Sequence, residues 1–193
     1  MKRVCVFCGS NSGIRASYAA AARRLACKLG ECGLSLVYGG GRFGLMGILA
    51  DAALGAKCEV IGVIPGALVA KEHAHGGLTK LHIVGSMHER KALMAELADA
   101  FIAMPGGYGT FEEFCEILTW TQLGLQLKPC GLLNVEGYYD HLLKLFDHAV
   151  AEEFVKPAHR LIVLDDSEPE ALIAKMLGYA PPAVEKWIGR AET

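Results

Sequence analysis

The feature that most constrains this chain is an alternation. Short apolar runs, each of a length suited to a buried strand, are separated by stretches whose apolar residues recur at helical spacing. The runs are Val4 to Phe7, Leu34 to Tyr38, Val60 to Ile64, Leu81 to Val84, Ala100 to Met104, Gly131 to Leu133 and Leu161 to Leu164. Between the first two, Tyr18, Ala22, Leu25, Ala26 and Leu29 form one helical stripe, and later Tyr139, Leu142, Leu143, Phe146, Ala149 and Val150 form another. Continuously apolar strands must be covered on both faces, and helices with a single apolar stripe can cover them. The pattern therefore predicts an α/β fold, a mainly parallel sheet flanked by helices. A last helix is expected from Pro169 to Leu177. The domain is expected over residues 1–180, with 181–193, including Trp187, as a short amphipathic tail.

With 193 residues, 52% of them apolar, the chain suits one substantial core, and a second domain is not expected. A formal charge of −2 from interspersed acids and bases offers no basic stripe, so no nucleic acid polymer is expected as a partner. No run reaches membrane-spanning length, and the apolar strand after Met1-Lys2-Arg3 is too short for a signal-peptide core. A cytoplasmic protein with no membrane partner is the expectation. Seven cysteines, an odd number scattered through strands and helices, read as reduced thiols. Cys5 and Cys8 match C-x-x-C, but within a strand positions i and i+3 face opposite sides. His73 and His75 lack further ligands at zinc-like spacing, so they read as loop histidines and no metal is expected.

In open parallel sheets, ligands bind beyond the carboxyl ends of the strands, where the glycines of this chain collect. Cys8-Gly9-Ser10-Asn11-Ser12-Gly13 follows the first strand, Gly39-Gly40-Gly41-Arg42-Phe43-Gly44 the second and Pro105-Gly106-Gly107-Tyr108-Gly109-Thr110 the fifth. Such turns can converge on one pocket, with Gly9, Ser10, Gly40 and Gly41 as loop contacts. The second turn is a literal G-x-G-x-x-G, yet the strand after it ends Val63-Ile64-Pro65-Gly66, without the acid that would bind ribose. A dinucleotide dehydrogenase is thereby disfavoured, and no P-loop sequence is present.

In the fifth-strand turn, three glycines allow close backbone approach and the new helix offers N–H groups to an anion such as phosphate. Thr110 and Glu113 also read as a capping box. On a helical wheel Phe111, Phe114, Cys115 and Leu118 share one face, and Glu112, Glu113, Glu116, Thr119 and Trp120 the other. The acids serve either the helix terminus or a ligand, and Trp120 covers a ligand, covers a second subunit or stands half-exposed. Ser86 and Glu89 can form a second capping box ahead of Arg90 and Lys91, a cationic pair at the ligand edge that serves either a phosphate or carboxylate or simply solvent. The long segment from Pro65 to Lys80 suits a lid or binding loop, with Glu72 either near a sugar or base or exposed to solvent.

The stretch Pro105 to Glu113 matches the P-G-G-x-G-T-x-x-E signature of the LOG family, the cytokinin-activating nucleoside 5′-monophosphate phosphoribohydrolases. Met87 to Lys91, Val37 to Gly41 and Gly131 to Tyr139 resemble other blocks of that family, and the resemblance runs from about Lys2 to about Leu164. It implies a Rossmann-like domain that hydrolyses the N-glycosidic bond of cytokinin nucleoside 5′-monophosphates, with AMP as a further substrate, to free base and ribose 5-phosphate. It also implies no cofactor, and a homodimer with its site near the subunit boundary. By this resemblance Arg90 and Glu113 correspond to the catalytic pair. Glu72, Arg90, Lys91, Gly106, Gly107, Tyr108, Gly109, Thr110, Glu112 and Thr119 fall on nucleotide-binding positions. Phe111 stands where leucine is commoner. Members are often labelled lysine decarboxylase-like, but no lysine here has a context suited to a pyridoxal Schiff base.

Overall fold

Each of the seven apolar runs forms a strand: β1 (Arg3–Phe7), β2 (Ser35–Tyr38), β3 (Val60–Pro65), β4 (Lys80–Val84), β5 (Ala100–Ala103), β6 (Cys130–Leu133) and β7 (Val163–Asp166). The structure, a computed structural model, describes residues 1–69 and 74–182. The strands pair in parallel as one sheet in the order β4-β3-β2-β1-β5-β6-β7, which is the expected Rossmann-like α/β architecture. Glu72 and His73, and Trp187 in the tail, lie outside the described residues.

The helices are α1 (Ala16–Glu31), α2 (Gly44–Gly55), α3 (Gly66–Val69), α4 (Met87–Leu97), α5 (Tyr108–Gln122), α6 (Asp140–Ala151), α7 (Pro157–Arg160) and α8 (Pro169–Leu177). Strand parity sorts the side chains into two cores. Val4 and Val6 of β1 face α1, α2 and α8, among Leu25, Leu49 and Leu172. Cys5 and Phe7 face α4, α5 and α6, among Met94, Phe114 and Ile117. Cys5 and Cys8 accordingly belong to opposite cores, as a strand requires of residues i and i+3.

The seventh strand begins two residues later than the apolar run. Ile162 N–H donates to the His159 carbonyl at 3.1 Å, so Leu161 and Ile162 close the turn after α7. The strand instead continues through Asp165 and Asp166, in register with Leu132 and Leu133. Between β3 and β4, Ala74 bridges Gly41 and His75 N–H donates to the Gly40 carbonyl at 2.9 Å. The His75 ring lies 2.9 Å from Asp51 and accepts from Gly77 N–H, so this loop histidine anchors its segment.

Sheet order reverses between β1 and β5. The chain leaving β1 turns to α1 on one face, and the chain leaving β5 turns to α5 on the other. A crevice opens where such connections diverge.

Candidate active site

That crevice holds a cavity of about 250 Å³, into which all three glycine turns project: Gly9 and Ser10 after β1, Gly39 after β2, and Gly107, Tyr108 and Gly109 after β5. Arg90 of α4 and Thr110 and Glu113 of α5 complete its polar lining, while Val6, Phe7, Cys8, Met46 and Met94 supply the rest.

The turns are tied to one another through the Gly9 peptide. Its N–H donates to the Pro105 carbonyl at 3.1 Å, and its carbonyl accepts from Leu45 N–H at 3.0 Å and Met46 N–H at 3.4 Å. The start of α2 is thus satisfied by protein. A Cβ on Gly44 (φ 60°) would meet the Ser10 backbone at 2.2 Å. The G-x-G-x-x-G turn is therefore a packing device that seats α2 on the first loop. At α5 the position differs: the N–H groups of Gly107, Tyr108, Gly109 and Thr110 find no acceptor among the described residues. Such donors at a helix start favour an anion.

The capping box expected of Thr110 and Glu113 is not formed. Helix α5 begins at Tyr108 with extended Gly107 as N-cap and no side-chain cap, and Phe111 N–H closes the first turn on the Gly107 carbonyl at 3.1 Å. Thr110 is instead buried beneath Gly106, where a Cβ would meet its Oγ1 at 2.1 Å. The inward face is Thr110, Phe114, Ile117 and Thr121, rotated from the predicted stripe, so Phe111, Cys115 and Leu118 are only partly buried. Glu113 stands about 70° from the centre of that face and lines the cavity, whereas Glu112 is exposed. The two adjacent acids are separated by helical geometry alone.

At Ser86 the expected capping box is formed in one half, the returning carboxylate reaching one residue further back than the N-cap. Ser86 Oγ accepts from Glu89 N–H at 3.1 Å, and Glu89 Oε2 accepts from Gly85 N–H at 2.6 Å. Four residues past Ser86, Arg90 is 6% exposed, its Nη2 donating to the Gly39 carbonyl at 3.3 Å and its Nε without a hydrogen-bond partner among the described residues. A buried guanidinium with a spare donor is costly unless something else completes it. Burial first, and then the Glu113 carboxylate, push the Cys5 and Cys8 thiols up, while Arg90 pulls Cys5 down. Carboxylate and guanidinium both act at the end of β1, where the thiols remain protonated at neutral pH.

Lys91 Nζ donates to Glu112 Oε1 at 2.5 Å and Glu116 Oε1 at 2.9 Å, an ion-paired cluster between α4 and α5 that does not line the cavity. Thr119 is exposed and donates to the Cys115 carbonyl at 2.8 Å. Gly40, Gly41 and Gly106 do not line the cavity; Gly106 packs on Thr110 and Gly9, which do, and Gly40 on Ile64 and Leu81. The sequence reading passed over Gly39, Met46 and Met94. Met94 carried a signal, since it lies one turn after Arg90 on the same helix face. Half-buried Trp120 packs on the second core and borders a separate hollow of about 460 Å³ with Phe101 and Leu125.

Residues 46–176 match a family model described as "possible lysine decarboxylase". A probable cytokinin riboside 5′-monophosphate phosphoribohydrolase of rice (Oryza sativa subsp. japonica) is 52% identical over 92% of this chain and 79% of its own length. A cytokinin riboside 5′-monophosphate phosphoribohydrolase of Arabidopsis thaliana is 48% identical over 93% of this chain and 84% of its own. Among solved structures, the molybdenum cofactor carrier protein of Chlamydomonas reinhardtii shares the fold, with a TM-score of 0.70 at 19% identity over 92% of this chain and 99% of that one.

Proposed function

We propose, from the premise that this chain belongs to the LOG family of cytokinin riboside 5′-monophosphate phosphoribohydrolases, that it hydrolyses the N-glycosidic bond of nucleoside 5′-monophosphates. The products are free base and ribose 5-phosphate. The observation that carries the reading is one cavity in which Glu113, buried Arg90 and the donors at the start of α5 meet.

As the bond from C1′ to the base nitrogen breaks, positive charge develops on the ribose, and a carboxylate beside it stabilises that charge. Glu113 takes this role and directs water to C1′, accepting its proton. Arg90 donates hydrogen bonds toward the departing base. The base leaves with the electron pair of the broken bond and takes up a proton from solvent, and Glu113 then releases to solvent the proton it accepted. The Gly106 to Thr110 turn and the start of α5 hold the 5′-phosphate, so binding energy is gained away from the bond that breaks. No lysine lines the cavity among the described residues, and the Lys91 ammonium is held by two carboxylates. The side chains therefore favour glycoside hydrolysis over the amine chemistry in the family model's description.

Lys91, Glu112 and Thr119 belong in this reading to the margin of the site, where a second copy of the chain closes it. Trp120 beside its hollow supports such a homodimer, and sedimentation as a species of twice the chain mass checks it. A cytoplasmic location is supported by seven cysteines that are all free. No helix among the described residues is long and apolar enough to cross a membrane. Incubation with AMP and with isopentenyladenosine monophosphate, followed by chromatography for free base, tests the reaction and ranks the substrates. Retention of both nucleotides intact would identify a carrier instead.

A further inference from the structure

Two tyrosine hydroxyls reach the Pro105-Gly106-Gly107 turn. Tyr138 Oη donates to the Gly106 carbonyl at 2.5 Å, and Tyr139 Oη donates to the Met104 carbonyl at 2.6 Å. Both come from the 3₁₀ turn after β6, where Glu136 (φ 54°) and Gly137 (φ 70°) are left-handed and Asn134 Oδ1 accepts from Tyr139 N–H at 2.6 Å. The rings brace each other, Tyr138 standing edge-on to Tyr139 at 5.0 Å and to Tyr18 at 5.8 Å. Neither tyrosine lines the cavity that holds Arg90 and Glu113.

A trans peptide points its carbonyl and its following N–H in opposite directions, and no cis peptide is present among the described residues. A hydroxyl that holds the Gly106 carbonyl on the side of Tyr138, where an adjoining cavity lies, therefore turns the Gly107 N–H to the opposite side, and Gly107 also lines the cavity of Arg90 and Glu113. Between two glycines no side chain resists rotation of that plane. Turned over, it would present a carbonyl oxygen to an incoming anion. We propose that Tyr138 is a positioning residue for substrate binding, its hydroxyl fixing the Gly106–Gly107 peptide so that the Gly107 N–H serves the 5′-phosphate. The inference rests on the phosphate-cradle reading above. Tyr139 provides the contrast. The Met104 carbonyl precedes Pro105, which has no N–H, so its hydrogen bond orients no donor.

The test compares Tyr138→Phe with Tyr139→Phe in AMP hydrolysis and in inhibition by ribose 5-phosphate. For Tyr138→Phe, KM and the inhibition constant rise about fivefold, the effect of one neutral hydrogen bond, with kcat within about twofold. For Tyr139→Phe both constants stay at the wild-type value, while the thermal midpoint falls by about 2–4 °C. An unchanged KM in Tyr138→Phe, or an equal rise in both variants, overturns the assignment while leaving the cradle intact. A wild-type enzyme that handles adenosine as well as AMP removes the cradle itself, and the assignment with it. Independently of how either variant folds, the wild-type Gly107 amide resonance moves on titration with ribose 5-phosphate, and an unmoved resonance overturns the proposal.

Discussion

A Cβ on Gly39 would stand 2.1 Å from Arg90 Nη2. The clash is with the far end of a side chain, so Gly39→Ala is expected to shift the guanidinium and not the backbone. Base release should fall about tenfold or more, on the scale of a displaced transition-state donor, while the thermal midpoint barely moves. A loss of stability as large as the loss of activity would refute this. Glu113→Gln preserves shape and removes charge. It should keep its fold and lose about 100-fold or more in kcat, and near-normal turnover would remove Glu113 from the mechanism. That Arg90 and Glu113 reach the cavity was legible in the sequence because each lies in a motif just past a strand end, while their catalytic roles were implied by the family resemblance alone. Gly39 was not legible, because its importance comes from a guanidinium 51 residues away. The same holds for Lys91, whose exposed-looking charge is balanced by Glu112 and Glu116 from another helix.

Among the elements, the inner strands β1, β2, β3, β5 and β6 were readable because layers on both sides bury them and make them apolar almost throughout. The edge strands β4 and β7 instead carry Lys80, His82, Asp165 and Asp166 and blur their own bounds. The start of α5 was not readable. Thr110 and Glu113 have the spacing of a capping box, but extended Gly107 ends the loop earlier and burial claims the threonine. Capping by backbone leaves no residue-type signature. The β1 and β5 strands are also fastened at their opposite ends, where Asp99 Oδ2 accepts from Lys2 N–H at 2.6 Å and Arg3 N–H at 3.0 Å. Partial desolvation alone would raise this carboxyl, but those two N–H groups bring it below the usual aspartate range. A carboxyl depressed on folding stabilises above the unfolded value of about 3.9, and that contribution disappears as pH falls through the lower folded value. Thermal melts of wild type and Asp99→Asn should therefore differ at pH 7 and converge toward pH 3. A constant gap would show that the charge is immaterial.

At the scale of the molecule, one sheet serves two cores. Leu25 lies in the core beneath α1, and Leu132 in the core beneath α4 to α6. Leu25→Ala and Leu132→Ala should each cost about 2–5 kcal/mol, and each should move the same single denaturation transition. Separate transitions would mean that the faces fold independently. The crevice between β1 and β5 depends on this shared sheet for its shape, and its walls are joined beyond the sheet as well, by Arg90 Nη2 on the Gly39 carbonyl and by one peptide of the first loop. The Gly9 peptide bonds at once to Pro105, Leu45 and Met46, that is, to the exit of β5 and the entrance of α2. Mechanically it is a pin: the first loop, the exit of β5 and the entrance of α2 are held at fixed mutual distances by one peptide, so the three glycine turns present a single preset surface to whatever enters.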